Sequence, residues 1–225
     1  MELMLDTANL KKIGQAVEYY PVCGLTTNPS IIKAEGRIDV FAHLREIRRI
    51  LGPQRSLHVQ VISPDCEGIL READAIRAGI DEDVYIKTPV SREGLKAIGI
   101  MARNGFNVTA TAIYTTMQAE LAAMAGAKYL ALYYNRMMNL DIDADVVFSQ
   151  VAQALKAHGT GCKIVGASFK NVMQLTNAIA DGAQAITVPP ELLETALANP
   201  SIGIAVDNFR KDWISVFGDV TLADL

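Results

Sequence analysis

Val84-Tyr85-Ile86-Lys87-Thr88-Pro89-Val90 is an apolar, strand-forming run with a lysine at its centre. Valine, tyrosine, isoleucine and threonine suit a buried strand, and proline marks where such a strand stops. An ammonium inside a sheet or barrel is costly unless something uses it. Desolvation favours the neutral amine, and a neutral lysine is a nucleophile toward carbonyls. Two blander readings stand beside that one for the heptapeptide alone: a lysine snorkelling from a strand end, or one paired with a buried carboxylate.

Working outward from this run, eight β-favouring segments recur every 19 to 35 residues. They are Leu3 to Asp6, Val22 to Thr27, Leu57 to Ile62, Val84 to Thr88, Asn107 to Ile113, Tyr129 to Tyr133, Lys163 to Ser168 and Ala185 to Val188. Between them lie stretches with apolar residues at three- and four-residue steps, such as Phe41, Leu44, Ile47 and Leu51, or Val147, Val151 and Leu155 after the polar Asp143 to Asp145. These predict helices. Thr7 to Asn9 and Ser63-Pro64-Asp65 read as helix starts, and Gly79, Gly105, Gly126, Gly159 and Gly182 follow predicted helices where a left-handed residue is wanted.

Eight strands alternating with helices in 225 residues predict an α/β fold, a (β/α)8 TIM barrel over 1–225, rather than an open doubly wound sheet with a glycine-rich first turn. Residues 202–218 form one helical pattern more than the barrel needs. Phe209, Trp213 and Phe217 recur there every four residues, an aromatic stripe that must bury against its own barrel or against a neighbouring subunit.

Composition narrows the function. A net charge of −4, a pI near 5.4 and dispersed arginines, apart from Arg45, Arg48 and Arg49 on one predicted helix, give no footprint for nucleic acid. The first residues are too acidic for a signal peptide, and no apolar run approaches the roughly 18 residues of a membrane helix, so a cytoplasmic protein without membrane contact is expected. Cys23, Cys66 and Cys162 are far apart and lack C-x-x-C spacing, which suggests small buried residues rather than disulfides or thiolate ligands. His43, His58 and His158 show no metal-ligand pattern, and no phosphate-cradling or dinucleotide-binding glycine motif is present. Neither a metal nor another cofactor is expected.

In barrels of this class the reactive groups sit where strands end and the following loops begin. The polar residues there are Asp6, then Thr26, Thr27 and Asn28, then Gln60, Lys87, Thr111, then Tyr133, Asn135 and Arg136, and finally Ser168 and Lys170. One inward lysine among a carboxylate, an amide, hydroxyls and a phenol is the set that carbinolamine and Schiff-base chemistry needs. Arg136 and the Ala167-Ser168-Phe169-Lys170 turn fall on adjacent strands, where a guanidinium with hydroxyl and backbone N–H donors would hold a phosphate.

Five ordered motifs carry a family resemblance: Leu5-Asp6-Thr7-Ala8-Asn9, Gly24-Leu25-Thr26-Thr27-Asn28-Pro29-Ser30, Ile86-Lys87-Thr88-Pro89-Val90, Ala110-Thr111-Ala112-Ile113-Tyr114 and Ala167-Ser168-Phe169-Lys170. Together they resemble the small transaldolases and fructose-6-phosphate aldolases, over Met1 through Trp213. The resemblance implies a class I aldolase with Lys87 as the Schiff-base lysine, Asp6 in proton handling, Asn28 and Thr111 on substrate hydroxyls, and Arg136 and Ser168 on phosphate. Transaldolases proper usually have glutamate at Gln60 and phenylalanine at Tyr133, so this chain resembles the aldolase branch. It also implies a homo-oligomer, a pentamer or decamer, in which the carboxy-terminal helix crosses to a neighbour. Met137 to Asp145 departs from the family pattern.

The expected reaction is therefore cleavage of a sugar phosphate, fructose 6-phosphate, by Lys87, with Asp6, Tyr133, Gln60 and Thr111 moving protons. Thr27, Asn28, Asn135, Arg136, Ser168 and Lys170 make up the candidate substrate contacts. Transfer of the three-carbon unit to an aldose phosphate, a sulfonate in place of phosphate, a non-catalytic sugar-phosphate sensor and a metal-dependent aldolase are the alternatives.

Overall fold

Eight parallel strands close on themselves: β1 (Glu2–Asp6), β2 (Val22–Thr26), β3 (Ser56–Gln60), β4 (Tyr85–Pro89), β5 (Asn107–Ile113), β6 (Tyr129–Tyr133), β7 (Lys163–Ala167) and β8 (Ala185–Val188). Hydrogen bonding runs in sequence order around the barrel, and β8 returns to β1. The helices are α1 (Leu10–Tyr19), α2 (Pro29–Ala34), α3 (Val40–Leu51), α4 (Cys66–Gly79), α5 (Arg92–Arg103), α6 (Thr116–Met124), α7 (Tyr134–Met138), α8 (Ala144–His158), α9 (Val172–Ala180), α10 (Pro190–Leu197) and α11 (Pro200–Phe217). This computed structural model describes residues 1–225 and divides into two compact units, Met1–Pro190 and Glu191–Leu225.

The first unit is the (β/α)8 barrel. Its helices begin where the sequence supplies caps: the side chains of Asn9, Asp39, Asp65, Ser91, Thr115, Asp143 and Asn171 each accept a first-turn N–H. Each such cap contributes roughly 1 kcal/mol. Outward strand residues, among them Leu5, Leu25, Leu57, Ile86, Val108, Leu130 and Ile164, are fully buried. Strand side chains alternate faces, so every second residue turns inward.

The interior is not built from layers of branched aliphatics. Met4, Tyr129, Ala131, Val165 and Ala185 cluster there, with Tyr85 packed against them. At the amino-terminal end of the strands Glu2 accepts hydrogen bonds from Tyr129 Oη (2.6 Å) and from Lys163. His58 is completely buried, stacks on Tyr85 at 4.4 Å between ring centroids, and bonds through Nδ1 to Thr109 Oγ1 (2.8 Å) and through Nε2 to Ser56 Oγ (2.9 Å).

Local departures from the sequence reading have local causes. Gly105, Gly126, Gly159 and Gly182 take the positive φ that their helix ends require. Gly79 instead closes α4 without one, and a Cβ there would meet the Phe41 ring at 2.6 Å, so close packing selects glycine. Gly94 serves a similar end, since a Cβ would lie 1.9 Å from the Pro89 carbonyl and push α5 off the end of β4. Of the three cysteines only Cys66 is buried; Cys23 is exposed near the start of β2, and Cys162 is intermediate.

In the second unit α11 spans Pro200–Phe217, close to the expected 202–218. Trp213 lies 4.4 Å from Phe217 between ring centroids, and its indole N–H donates to the Val220 carbonyl at 2.7 Å, folding the last residues back on the helix. Phe209 is 72% exposed, and Ile202, Ile204, Val206 and Val216 are exposed with it. No helix in the protein is long and apolar enough to cross a membrane.

Burial, with the charges of Lys87 and Arg48, pushes His58 down to about 3 from its ordinary 6.5. The unfolded chain takes up a proton below 6.5 that the folded barrel refuses, so this stability is present above that value and drains away as pH falls toward 3. The loss amounts to roughly 2 kcal/mol by about pH 5. Denaturant unfolding at neutral and acidic pH checks it: His58→Gln, which keeps a hydrogen-bonding side chain but takes up no proton, should show a visibly weaker acid dependence than the parent protein.

Candidate active site

Lys87 follows from two constraints acting at once. The period-two alternation of β4 turns Lys87 to the same side as Tyr85, toward the barrel axis, while barrel closure leaves no side exit for its long stem. The residue is 2% exposed, and Nζ donates to the Thr27 carbonyl at the long distance of 3.4 Å. In the strand register Lys87 stands beside Gln60 on β3 and Thr109 on β5. The Gln60 Oε1 atom is buried and has no hydrogen-bond partner. A buried amide oxygen without a donor is uncommon, and here it belongs to the residue that stands opposite Lys87 across the β3–β4 seam.

Asp6, at the end of β1, is held by a hydroxyl chain. Thr26 Oγ1 donates to Asp6 Oδ1 at 2.6 Å and is itself 2.8 Å from Thr187 Oγ1. With its proton given to Asp6, Thr26 accepts from Thr187. Burial raises the Asp6 carboxyl above the ordinary carboxylate value, while Lys87, the Thr26 hydrogen bond and Arg136 pull it back. Burial is the largest of these influences. A carboxyl balanced in this way can carry a proton between an amine and a substrate oxygen.

Across the mouth, the Thr111 hydroxyl donates to Tyr133 Oη at 3.0 Å, which leaves the phenolic proton free for another acceptor. The pairing of β5 with β6 slips between Ala110 and Ile113, and Ala112 takes φ +58°. Ser168, just past β7, takes φ +64°. Left-handed backbone at residues other than glycine is strained, and here it sits on both sides of Tyr133. The Arg136 guanidinium lies over the Tyr133 ring at 4.6 Å, and Tyr114 meets that ring edge-on at 5.7 Å.

Asn135 and Arg136 fall just past the end of β6, as the sequence suggested. They lie on α7, one helical turn that continues β6 without a loop. The Asn135 N–H donates to the Ser168 carbonyl at 3.3 Å, and Asn135 Oδ1 accepts from Gln174 at 3.0 Å. Asn28 Oδ1 caps α2 by accepting from the Ile31 N–H, and the buried Thr27 hydroxyl donates to the His58 carbonyl at 3.3 Å. Lys170 is exposed, and its backbone N–H donates to Gln174. The molecule contains no group of three or more His, Cys, Asp or Glu side chains arranged to hold a metal ion.

The sequence reading did not include Thr187, nor did it give Thr26 a task. The signal was there in part, since Thr187 is the inward hydroxyl of an otherwise apolar β8, but its partner is 161 residues away.

A buried amine, a carboxyl raised by burial, a hydroxyl–phenol pair, an unpaired amide oxygen and a guanidinium thus share one end of one barrel. Such an arrangement can form and break an imine with a ketone whose far end is anionic. The Transaldolase/Fructose-6-phosphate aldolase family model matches residues 3–218. A protein of Streptococcus pneumoniae (strain ATCC 700669 / Spain 23F-1) described as "Probable fructose-6-phosphate aldolase" is 49% identical over 216 residues, covering 96% of this chain and 97% of that protein.

The raised Asp6 carboxyl has a stability consequence. The folded chain holds this proton to higher pH than the unfolded chain, whose carboxyl loses it near 3.8. Stability therefore falls as pH rises through that window and stays lower above it. Asp6→Asn keeps an acceptor for Thr26 and removes the buried charge, so its melting temperature should exceed the parent's at neutral pH. The gap should narrow as pH is lowered toward about 4, and calorimetry at several pH values measures both.

Proposed function

The chain belongs to the Transaldolase/Fructose-6-phosphate aldolase family, and on that footing we propose that it is a class I aldolase that reversibly splits fructose 6-phosphate into dihydroxyacetone and glyceraldehyde 3-phosphate. The observation that carries this reading is the Lys87 amine, buried midway along β4 with a long hydrogen bond to the Thr27 carbonyl. A structural lysine in that position would sit in direct contact with a carboxylate, whereas Asp6 acts on Lys87 through its charge without a hydrogen bond.

In the proposed reaction Lys87 Nζ adds to the C2 ketone, and the carbinolamine loses water to give an iminium. The C4 hydroxyl then surrenders its proton as the C3–C4 bond breaks; the bonding electrons pass to the iminium, leaving an enamine on Lys87 and free glyceraldehyde 3-phosphate. Protonation at C3 and addition of water release dihydroxyacetone and regenerate the amine. Asp6 gives and takes the proton at the carbinolamine oxygen. Tyr133, oriented by Thr111, serves the C4 hydroxyl and C3, working with a water that the unpaired Gln60 oxygen is available to hold. Arg136 and Ser168 receive the phosphate, with Thr27, Asn28, Asn135 and Lys170 beside them.

Release rather than transfer of the three-carbon unit is supported by the neutral amide of Gln60, where a carboxylate would supply a base, and by the description of the 49% identical relative. Phosphorylated substrates do not cross membranes unaided, which agrees with a cytoplasmic site of action. The proposal extends to assembly. The exposed Val206 and Phe209 on α11 form an apolar surface suited to a second copy of the chain, in a homo-oligomer of pentameric or decameric order.

Borohydride added with dihydroxyacetone should leave a covalent adduct on Lys87 by peptide mass mapping. Lys87→Ala should leave none and should lower kcat by more than about a thousandfold. Incubation with fructose 6-phosphate alone should release dihydroxyacetone over many turnovers; one equivalent per site, with turnover only on adding an aldose phosphate, would instead establish a transferase. For assembly, light scattering of Phe209→Asp should give a smaller particle than the parent protein.

A further inference from the structure

Arg136 is exposed at the rim and depends on α7 for its place. That helix is five residues long and has no side-chain cap at its amino end. A single uncapped turn does not hold its shape unaided, because nucleation is unfavourable and few internal hydrogen bonds offset it. Something outside the turn must hold the guanidinium in register with Ser168.

Asn135 supplies one tether through Gln174 and the Ser168 carbonyl. Arg136 itself rests on the Tyr133 ring at 4.6 Å, and a further tether of the turn is Tyr134, a residue the reaction itself does not use. The residue is 3% exposed, and its ring packs between Phe148 on α8, at 5.6 Å, and Phe169, at 5.8 Å. Its hydroxyl donates to Asp145 Oδ1 in the first turn of α8. Asn177 on α9 closes the triangle, with Nδ2 donating to Tyr134 Oη and to Asp145 Oδ2, both at 3.3 Å. A buried aromatic pinned by a carboxylate and an amide from two different helices is over-determined for packing alone.

We propose that Tyr134, locked by Asp145 and Asn177, is the positioning residue for Arg136 and thereby sets the affinity for the anionic end of the substrate. The inference rests on the assignment of Arg136 to phosphate made above. Burial and the neighbouring Asp145 push the Tyr134 hydroxyl up to about 12, so it remains a donor throughout the neutral range. The segment from Met137 to Asp145 ends in the carboxylate that anchors this turn.

Steady-state kinetics in the direction of synthesis provide the test, comparing glyceraldehyde 3-phosphate with unphosphorylated glyceraldehyde. Tyr134→Phe keeps the ring and removes the hydroxyl. It should raise KM for the phosphorylated aldehyde by about tenfold, less than the roughly hundredfold that a misplacement of about 1 Å can cost. Its kcat, its KM for glyceraldehyde and its borohydride trapping with dihydroxyacetone should stay within about twofold of the parent. Asp145→Asn should shift KM in the same direction by less, and it carries the test if Tyr134→Phe does not fold.

Equal losses with both aldehydes, or an unchanged KM for the phosphorylated one, would overturn the positioning role. Arg136→Ala separates the two layers. If it leaves KM for glyceraldehyde 3-phosphate unchanged, the phosphate assignment itself fails. If it raises KM while Tyr134→Phe does not, only the role of Tyr134 fails.

Discussion

Enclosing one amine within a sealed parallel barrel is the constraint from which the remaining architecture follows. An alkylammonium in such a place loses its hydration, and here it has a single long hydrogen bond to a backbone carbonyl in return. Neighbouring strands compensate with polar groups, so that hydroxyls, an amide and a carboxyl replace the aliphatic layers of an ordinary barrel interior. In the proposed reaction the same groups become the proton carriers. The features that make the site reactive are therefore those that make this lysine tolerable to bury.

The two ends of the barrel answer differently to buried polarity. At the amino-terminal end of the strands, Glu2, Tyr129 and Lys163 satisfy one another, and His58 is fully engaged with Ser56 and Thr109. At the other end the Gln60 oxygen has no partner, and two residues other than glycine, Ala112 and Ser168, hold left-handed backbone. An unsatisfied amide oxygen and strained backbone thus coincide around the proposed chemistry, although the Thr88 hydroxyl and a Glu120 carboxylate oxygen are also buried without partners and Asp141 is also left-handed.

Much of this was legible in the chain itself. The inward positions of Asp6, Gln60, Lys87, Thr111 and Tyr133 follow from period-two alternation once each strand is found, and the helix starts follow from Asn9, Asp65 and Asp143. Strand ends shifted by a residue or two, because Thr27, Ile62 and Ser168 continue a strand's composition after its ladder has stopped. Three features were not legible for physical reasons. The contact between Thr26 and Thr187 depends on barrel closure; the turn carrying Arg136 lacks any cap signature; and His58, which fits no ligand motif, acquires its role only from a threonine on β5, two strands away.

Closure of the sheet into a ring has a last consequence. Every inward group depends on the registers of all eight seams, since slipping one strand by a single residue would rotate its whole inner face outward. No half-barrel could hold the amine, the carboxyl and the phenol together. Gradual innovation in such a protein is thus confined to the rim: turns and loops can be exchanged to admit new molecules, while the staves beneath must be inherited entire.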